Sequence, residues 1–240
     1  MAKHDLKSAA EIRKRFIDAG SNNQIVAARW KVLDEALATY VAVGTYLAVD
    51  SVVNDEKQDC SRALVLLCRI CSELFGTVAN EIRSDRFYSA SVVLRQIVEV
   101  EYLMFMGYLD IKNLEMWLHA DGETLRKEFT PQRMRKRSDG LFSDREYWTH
   151  CDIGGHPNPK ARLMLAGYSH VMPPVASLLP DSIHHVVRLW TSTRFVLEDL
   201  LGDRINSISS CETFDVAIEE WRSREDGLVL SYDGISQNQN

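Results

Sequence analysis

Two histidines and an arginine within one twelve-residue segment are the residues of this sequence best suited to chemistry. They are Arg145, His150 and His156. Each imidazole titrates near neutral pH and can act as a general acid or base. A guanidinium can contact a phosphate in bidentate fashion and stabilise the charge that develops there. The segment predicts an acid–base site, with two alternatives left open: His150 as a semi-buried, hydrogen-bonded histidine, and His156 before Pro157 as part of a rigid turn.

A second candidate site is a stripe of polar residues spaced by three, four, four and three positions, which places them on one face of a helix. The stripe comprises Tyr88, Ser91, Arg95, Glu99 and Tyr102. The rest of this helix is apolar, so we expect Arg95 and Glu99 to be partly buried and paired. Either the pair bridges neighbouring helices, or Arg95 faces a polar cleft and binds an anion.

The third feature is a basic segment, residues 126–137, with one acid, Glu128. Its net charge is +5 in a chain of net charge −6, which leaves −11 for the remainder. A local excess of this kind predicts a directed contact with phosphate or with an acidic partner, and a solvated basic loop is the alternative. The basic residues are Arg126, Lys127, Arg133, Arg135, Lys136 and Arg137.

These residues carry a resemblance to a known family. Arg145 and His150 are separated by four residues, which is within the Arg-x(4–6)-His spacing of HEPN-type helical domains. The Arg95-x3-Glu99 helix, followed later by Tyr147 and then His156, also resembles uncharacterised bacterial all-helical proteins related to that superfamily. The resemblance covers roughly residues 60–201.

The resemblance implies a helical bundle, often a homodimer, whose active members cut RNA without a metal. Arg145 would then stabilise the scissile phosphate, and His150 would deprotonate the ribose 2′-hydroxyl or protonate the leaving oxygen. Arg95 and Glu99 would support the site. We therefore expect a metal-independent endoribonuclease of a toxin or defence system. The alternative is a non-catalytic helical module that binds a partner protein or a small anionic ligand.

On this hypothesis the catalytic residues are Arg145, His150 and His156, and we expect no cofactor and no metal. RNA and a cognate protein are the expected partners, and the chain is expected to form a homodimer in the cytoplasm without contacting a membrane. The residues expected to bind substrate are Tyr88, Arg95, Glu99, Arg133, Arg135, Lys136 and Arg137.

Cysteine usage argues against a disulfide framework and against a zinc site. Five cysteines are an odd number in a long chain that starts without an apolar signal segment. Cys68 and Cys71, together with His150, Cys151 and His156, contain ligand types that suit zinc. However, Cys68 and Cys71 lie on the apolar face of a predicted helix, where buried cysteine acts as a small hydrophobe. His184 and His185 are adjacent, so they do not form a metal pair on a helix.

The elements that must position these residues are helices. Glycine (12) and proline (6) are scarce, and apolar residues recur at helical spacing. We predict one all-α helical-bundle domain over residues 1–222, HEPN-like with extra terminal helices, and a disordered tail over 223–240. Gly154 to Pro159 should interrupt any regular element. The predicted helices cover residues 6–17, 24–49, 60–82, 86–109, 112–119, 122–129, 144–151, 160–171, 175–201 and 214–221.

Several classes of protein are excluded by motifs that the sequence lacks. The longest nearly apolar run, residues 39–49, is shorter than the roughly 20 residues that a membrane span needs. The chain has no glycine-rich phosphate loop, no Gly-x-Ser-x-Gly elbow and no His-Glu-x2-His. P-loop hydrolysis, α/β-hydrolase chemistry and zincin proteolysis are therefore not expected.

Overall fold

The fold is known from a computed structural model, which describes residues 23–49, 55–157, 159–165 and 174–236. Helices make up most of the described residues, and these residues contain no strand. The prediction of an all-α helical bundle is therefore confirmed. The helix predicted over residues 6–17 lies outside the described residues.

Five long helices build the part of the bundle that the structure describes. The third of them is apolar on most of its sides, and its side chains are buried among the neighbouring helices. A helix that is apolar on most of its sides is expected at the centre of a bundle. The long helices are α1 (Asn23–Leu47), α2 (Gln58–Arg83), α3 (Phe87–Leu109), α8 (Pro174–Leu201) and α9 (Ser209–Ser236). Helix α3 packs against α2 and α8, and α1 packs against α2 and α9.

Four short α-helices lie between α3 and α8 among the described residues, and polar caps or a proline start three of them. Asp121 Oδ1 accepts a hydrogen bond from Thr124 N at 2.8 Å, and Ser143 Oγ accepts one from Glu146 N at 3.1 Å. Both are N-cap bonds that satisfy a free backbone N–H. Pro131 occupies the first turn of its helix, where no N–H is needed. The short helices are α4 (Lys112–Leu118), α5 (Gly122–Glu128), α6 (Pro131–Lys136) and α7 (Asp144–His150).

The expected interruption at Gly154 is wrong in its first half, because Cys151–Gly155 forms a π-helical turn that continues from α7. The glycine has a packing role. A Cβ atom at Gly154 would lie 2.5 Å from the backbone C and O atoms of Ser91. The turn therefore lies directly on α3, where Ser91 Oγ also donates to the Ile153 carbonyl at 3.2 Å. A 3-10 helix, Pro159–Met164, follows where the sequence predicts an α-helix over residues 160–171, of which 166–171 are outside the described residues.

Helix α9 runs to Ser236, whereas the sequence predicts a helix ending at residue 221 and disorder beyond it. Contacts past the predicted end hold the helix to α1. Trp221 Nε1 donates to Glu225 Oε2 at 2.8 Å, and Glu225 forms an ion pair with Arg29 of α1. The sequence pattern missed this extension because it depends on a partner nearly 200 residues away.

Among the described residues, one helix, α2, is long and apolar enough to cross a membrane by length and composition alone. One of its faces is buried in the core, with Leu64, Cys68 and Phe75 fully covered. The opposite face carries exposed charges such as Arg69 and Glu73. These features are consistent with the core helix of a soluble protein, and cytoplasmic location stays a prediction.

Candidate functional site

A group of charged side chains and imidazoles lies where α3, α7 and α8 meet. We call it the histidine–carboxylate cluster. It combines three carboxylates, two imidazoles and one guanidinium, and reaches from the interior of the bundle to its surface. Its members are Glu101 of α3, Glu146 and His150 of α7, and Asp181, His185 and Arg188 of α8.

The innermost member is Glu101, whose side chain is 0% exposed. A buried carboxylate requires charged or hydrogen-bonding partners, and α8 supplies both. Glu101 Oε2 lies 2.6 Å from His185 Nδ1, and Arg188 Nε lies 2.6 Å from Glu101 Oε1. Both contacts follow from the close packing of α3 on α8.

The two imidazoles of the cluster face each other. His150 Nε2 and His185 Nε2 are 3.0 Å apart, and the side chains are 3% and 1% exposed. His185 Nδ1 lies 2.6 Å from Glu101 Oε2, an acceptor, and 3.0 Å from Arg188 Nη2, a donor. With the Nδ1 proton directed at the nearer Glu101, the Nε2 atom of a neutral His185 accepts a hydrogen bond from His150. Burial lowers the pKa of His150, so its neutral form is favoured.

Two further carboxylates border the imidazole pair and connect it to solvent. Glu146 Oε1 lies 2.6 Å from Arg188 Nη2 and 3.7 Å from His185 Nε2. Asp181 Oδ1 lies 3.6 Å from His185 Nε2, and Asp181 Oδ2 lies 3.8 Å from His150 Nδ1. The Asp181 side chain is 39% exposed, so this edge of the cluster is open. Such an arrangement can share a proton or hold a cation between the imidazoles and the carboxylates.

The segments that the sequence singled out separately meet at Arg95. Arg95 Nη2 lies 2.9 Å from Glu99 Oε1 on the same helix and donates to the Tyr147 hydroxyl of α7 at 3.2 Å. A Cβ atom on Gly155 would lie 3.2 Å from Arg95 Cδ and Nε, so the π-helical turn packs against the guanidinium. Burial raises the pKa of Tyr147, which therefore stays protonated. Arg95 thus bridges helices, as one of the two open interpretations predicts.

The other members of the predicted stripe do not line a common surface. Tyr102 is fully buried, with its ring centroid 4.5 Å from that of Phe142. Ser91 is buried under the π-helical turn, and Tyr88 is half-buried. The substrate-binding roles expected for these residues stay predictions.

The basic segment contacts α7 through Arg135. Arg135 is 5% exposed, stacks 4.0 Å from the centroid of the Tyr147 ring, and bonds Asp144 Oδ1 at 2.7 Å through Nη2. Four other cations line a shallow surface pocket with Glu128. We call these four the basic face: Lys127, Arg133, Lys136 and Arg137.

The three predicted catalytic residues lie in different environments. Arg145 is exposed on α7, and His156 is exposed just after the π-helical turn. His150 is buried at the end of α7 and bonded to His185. Their catalytic roles stay predictions.

Five members of the cluster were not identified as site residues from the sequence: Glu101, Glu146, Asp181, His185 and Arg188. A signal was present, since Glu146-x3-His150 and Asp181-x3-His185 both place a carboxylate one helical turn before a histidine. Among the described residues, the group able to hold a metal is Glu146, His150 and His185, whose ligand atoms lie within 4.8 Å of one another. It contains no cysteine. Cys68 and Cys71 lie in the core instead, as their predicted helix face indicates.

Comparison of this chain with protein-family models, with curated proteins and with solved structures finds no match.

Proposed function

We propose that this protein is a HEPN-like helical-bundle protein that binds RNA and cleaves it beside the basic face. The observation that carries the proposal is the attachment of the basic segment to α7. Arg135 stacks on Tyr147 and bonds Asp144, both of α7, so the basic face lies beside the helix that carries Arg145 and His150. A loop that was merely solvated would not need a buried arginine to hold it there.

The residues between Arg145 and His156 include the groups needed to cleave RNA through its 2′-hydroxyl. A base takes the ribose 2′-hydroxyl proton, the 2′-oxygen attacks phosphorus, and an acid protonates the departing 5′-oxygen, which leaves a cyclic phosphate and a 5′-hydroxyl. Arg145 is exposed and would neutralise the charge that develops on the phosphate. His156 already faces solvent, whereas His150 must turn out of its bond with His185 before it can reach RNA.

Cleavage of a labelled RNA in the presence of EDTA tests the catalytic part. We expect wild type to cut, and Arg145→Ala and His156→Ala to lose about 100-fold or more of the rate, as is typical when acid–base or charge-stabilising groups are removed. His184→Ala, which removes another exposed histidine, is the matched control and should keep full activity. Equal rates in all variants, or no cleavage by wild type, would reject the ribonuclease.

Binding is tested separately, by fluorescence anisotropy with single-stranded RNA over a series of salt concentrations. Lys and Arg contacts to phosphate release counterions, so affinity should fall steeply with salt. Arg133→Gln/Lys136→Gln should weaken binding and flatten the slope of log affinity against log salt by roughly 0.7 for each lost phosphate contact. Arg69→Gln removes an exposed arginine from α2 and should change neither. A salt-independent affinity would remove RNA as the partner of the basic face.

Arg95 supports a second candidate function, a non-catalytic module that binds a small anionic ligand. Its Nε atom is buried and makes no hydrogen bond to the described residues, although Nη2 is held by Glu99 and Tyr147. Thermal-shift titration with inorganic phosphate and with nucleoside monophosphates tests this function. We expect stabilisation that Arg95→Lys abolishes and that Arg62→Lys, an exposed arginine on α2, does not. An unchanged melting temperature with every anion would discard it.

The homodimer, the cognate protein partner and the toxin or defence role belong to the same proposal. Sedimentation equilibrium provides the direct test of the dimer. The expected mass is twice the 27.4 kDa of the chain, and a single species of 27.4 kDa would contradict it.

A further inference from the structure

We propose that the histidine–carboxylate cluster is a binding site for a divalent transition-metal ion. Zinc is the ion used to describe and test the site. His150 Nε2 and His185 Nε2 would supply two ligands, and one oxygen each of Glu146 and Asp181 would supply the others. The inference does not depend on RNA cleavage.

The separations between His185 Nε2 and its neighbours are close to those between adjacent ligands of a tetrahedral metal site. Zinc binds histidine nitrogen and carboxylate oxygen at about 2.0–2.2 Å, so adjacent ligand atoms of a tetrahedron are about 3.4 Å apart. From His185 Nε2, the distances are 3.0 Å to His150 Nε2, 3.7 Å to Glu146 Oε1 and 3.6 Å to Asp181 Oδ1. The ligand atoms of Glu146, His150 and His185 all lie within 4.8 Å of one another, and Asp181 approaches this group from the side of His185.

The proton positions also favour a cation between the imidazoles. Glu101 Oε2 is nearer to His185 Nδ1 than the donor Arg188 Nη2 is, and with the proton directed from Nδ1 at Glu101, His185 Nε2 presents a lone pair to His150. If the proton of His150 is on Nε2 and is donated to His185, the buried Nδ1 of His150 is an acceptor. This Nδ1 then faces another acceptor, the Asp181 carboxylate at 3.8 Å, and has no hydrogen-bond partner among the described residues. If a metal takes both Nε2 lone pairs, the His150 proton moves to Nδ1 and points at Asp181.

The outer contacts and the charge of the cluster are those of a metal centre. Histidine ligands typically donate their second N–H to a carboxylate, which fixes the ring and increases its basicity. Glu101 accepts from His185 in this way at 2.6 Å. With neutral imidazoles, the three carboxylates and Arg188 leave a net charge of −2, which a divalent ion would neutralise. Imidazole ligands favour zinc and its first-row neighbours over magnesium or calcium.

The site also has an entry path. Asp181 is 39% exposed and Glu146 is 27% exposed, whereas His185 and Glu101 are buried. An ion can therefore reach the carboxylates from solvent and then the imidazoles behind them. The two Asp/Glu-x3-His spacings place each carboxylate and its histidine on one side of a helix, and the packing of α7 and α8 around α3 brings the pairs together.

Metal binding by the full chain tests the inference directly. The protein is stripped with EDTA, dialysed and titrated with Zn²⁺ against a chromophoric chelator, and the bound metal is counted by mass spectrometry. We expect one ion per chain, a higher melting temperature with zinc, and a visible absorption band when Co²⁺ replaces zinc. Glu146→Gln and Asp181→Asn should each lower the zinc affinity at least tenfold, and Glu101→Gln should lower it about 10–100-fold.

The control is His184→Ala, because His184 is the sequence neighbour of His185 and packs on the Trp221 ring instead. It should bind zinc as wild type does, whereas His185→Ala should not bind. Should His185→Ala fail to fold, the variants at the open edge, Glu146→Gln and Asp181→Asn, decide. Three results would overturn the site: a folded wild type without stoichiometric zinc, binding retained by folded His150→Ala/His185→Ala, or wild-type affinity in both edge variants.

Discussion

Glu101 carries a carboxylate into a position with no contact to solvent, and three polar atoms of α8 surround it. Its partners are His185 Nδ1 at 2.6 Å and Arg188, through Nε at 2.6 Å and Nη2 at 3.4 Å. When one member of a buried charged pair is removed, the other stays desolvated and unpaired. The stability of this region therefore depends on single residues much more than the stability of a surface ion pair does.

We predict that Glu101→Gln lowers the free energy of unfolding by about 1.5–3 kcal/mol, because it removes the fully buried charged acceptor of His185 and Arg188, while Arg188 keeps Glu146. Glu99→Gln is the matched control on the same helix. It removes an Arg95 partner that is 28% exposed, and its effect should stay below about 1 kcal/mol. Urea denaturation of the three proteins measures both values. Similar stability of the two variants would show that the cluster is not held by charge.

Arg135 and Lys136 are adjacent basic residues with opposite environments. Arg135 is buried on Tyr147 and bonded to Asp144, whereas Lys136 is exposed. We predict that Arg135→Ala destabilises the protein by about 2–4 kcal/mol through lost stacking and hydrogen bonds, and that Lys136→Ala changes stability by less than about 0.5 kcal/mol. Thermal unfolding followed by circular dichroism separates the two. A stable Arg135→Ala variant would mean that the basic segment is not anchored through this residue.

The helix pattern was predictable at the scale of elements, and the π-helical turn was not. Apolar spacing placed the ends of α3 and α4 within one residue of those observed, because that spacing reports the buried face directly. Glycine and proline in residues 154–159 predicted only an interruption. The turn exists because its backbone lies against Ser91 of α3, a contact that no local pattern encodes.

We predict that Gly154→Ala destabilises the protein by about 1–3 kcal/mol, the usual range for overpacking, because the new Cβ would lie 2.5 Å from the Ser91 backbone. Gly76→Ala is the control. Gly76 lies in the middle of α2, and a Cβ atom there would lie 3.9 Å from Leu37 of α1. The substitution should stabilise the protein by about 0.5–1 kcal/mol. Differential scanning calorimetry gives both shifts. A neutral Gly154→Ala would show that the turn can move away from α3.

At the scale of the whole molecule, the described helices share one hydrophobic core that contains every cysteine of the chain. All five thiols are free and buried. Burial raises the pKa of the Cys68 and Cys71 thiols, and it raises the pKa of Cys211 to about 11. Because the thiolate is the reactive form, the folded protein should be inert toward thiol reagents at neutral pH.

We predict that the native protein releases less than one equivalent of chromophore from Ellman's reagent in the time in which the denatured protein releases five. The thiols with raised pKa react only as pH rises through those values or as the chain unfolds, so moving from pH 7 to pH 8 should accelerate the denatured sample much more than the native one. Rapid reaction of a native thiol would contradict the buried core described above.

The sequence by itself determined the fold class, the position of α3 at the centre and the burial of Cys68 and Cys71, because each depends on periodicity along one helix. It also identified Glu99 as the i, i+4 partner of Arg95. Only the tertiary structure decided what surrounds His150. Its partner His185 is 35 residues away on α8, and His185 in turn contacts Glu101 of α3. These contacts depend on how α3, α7 and α8 pack. Helix periodicity states which face is buried, but not which residue of another helix it will meet.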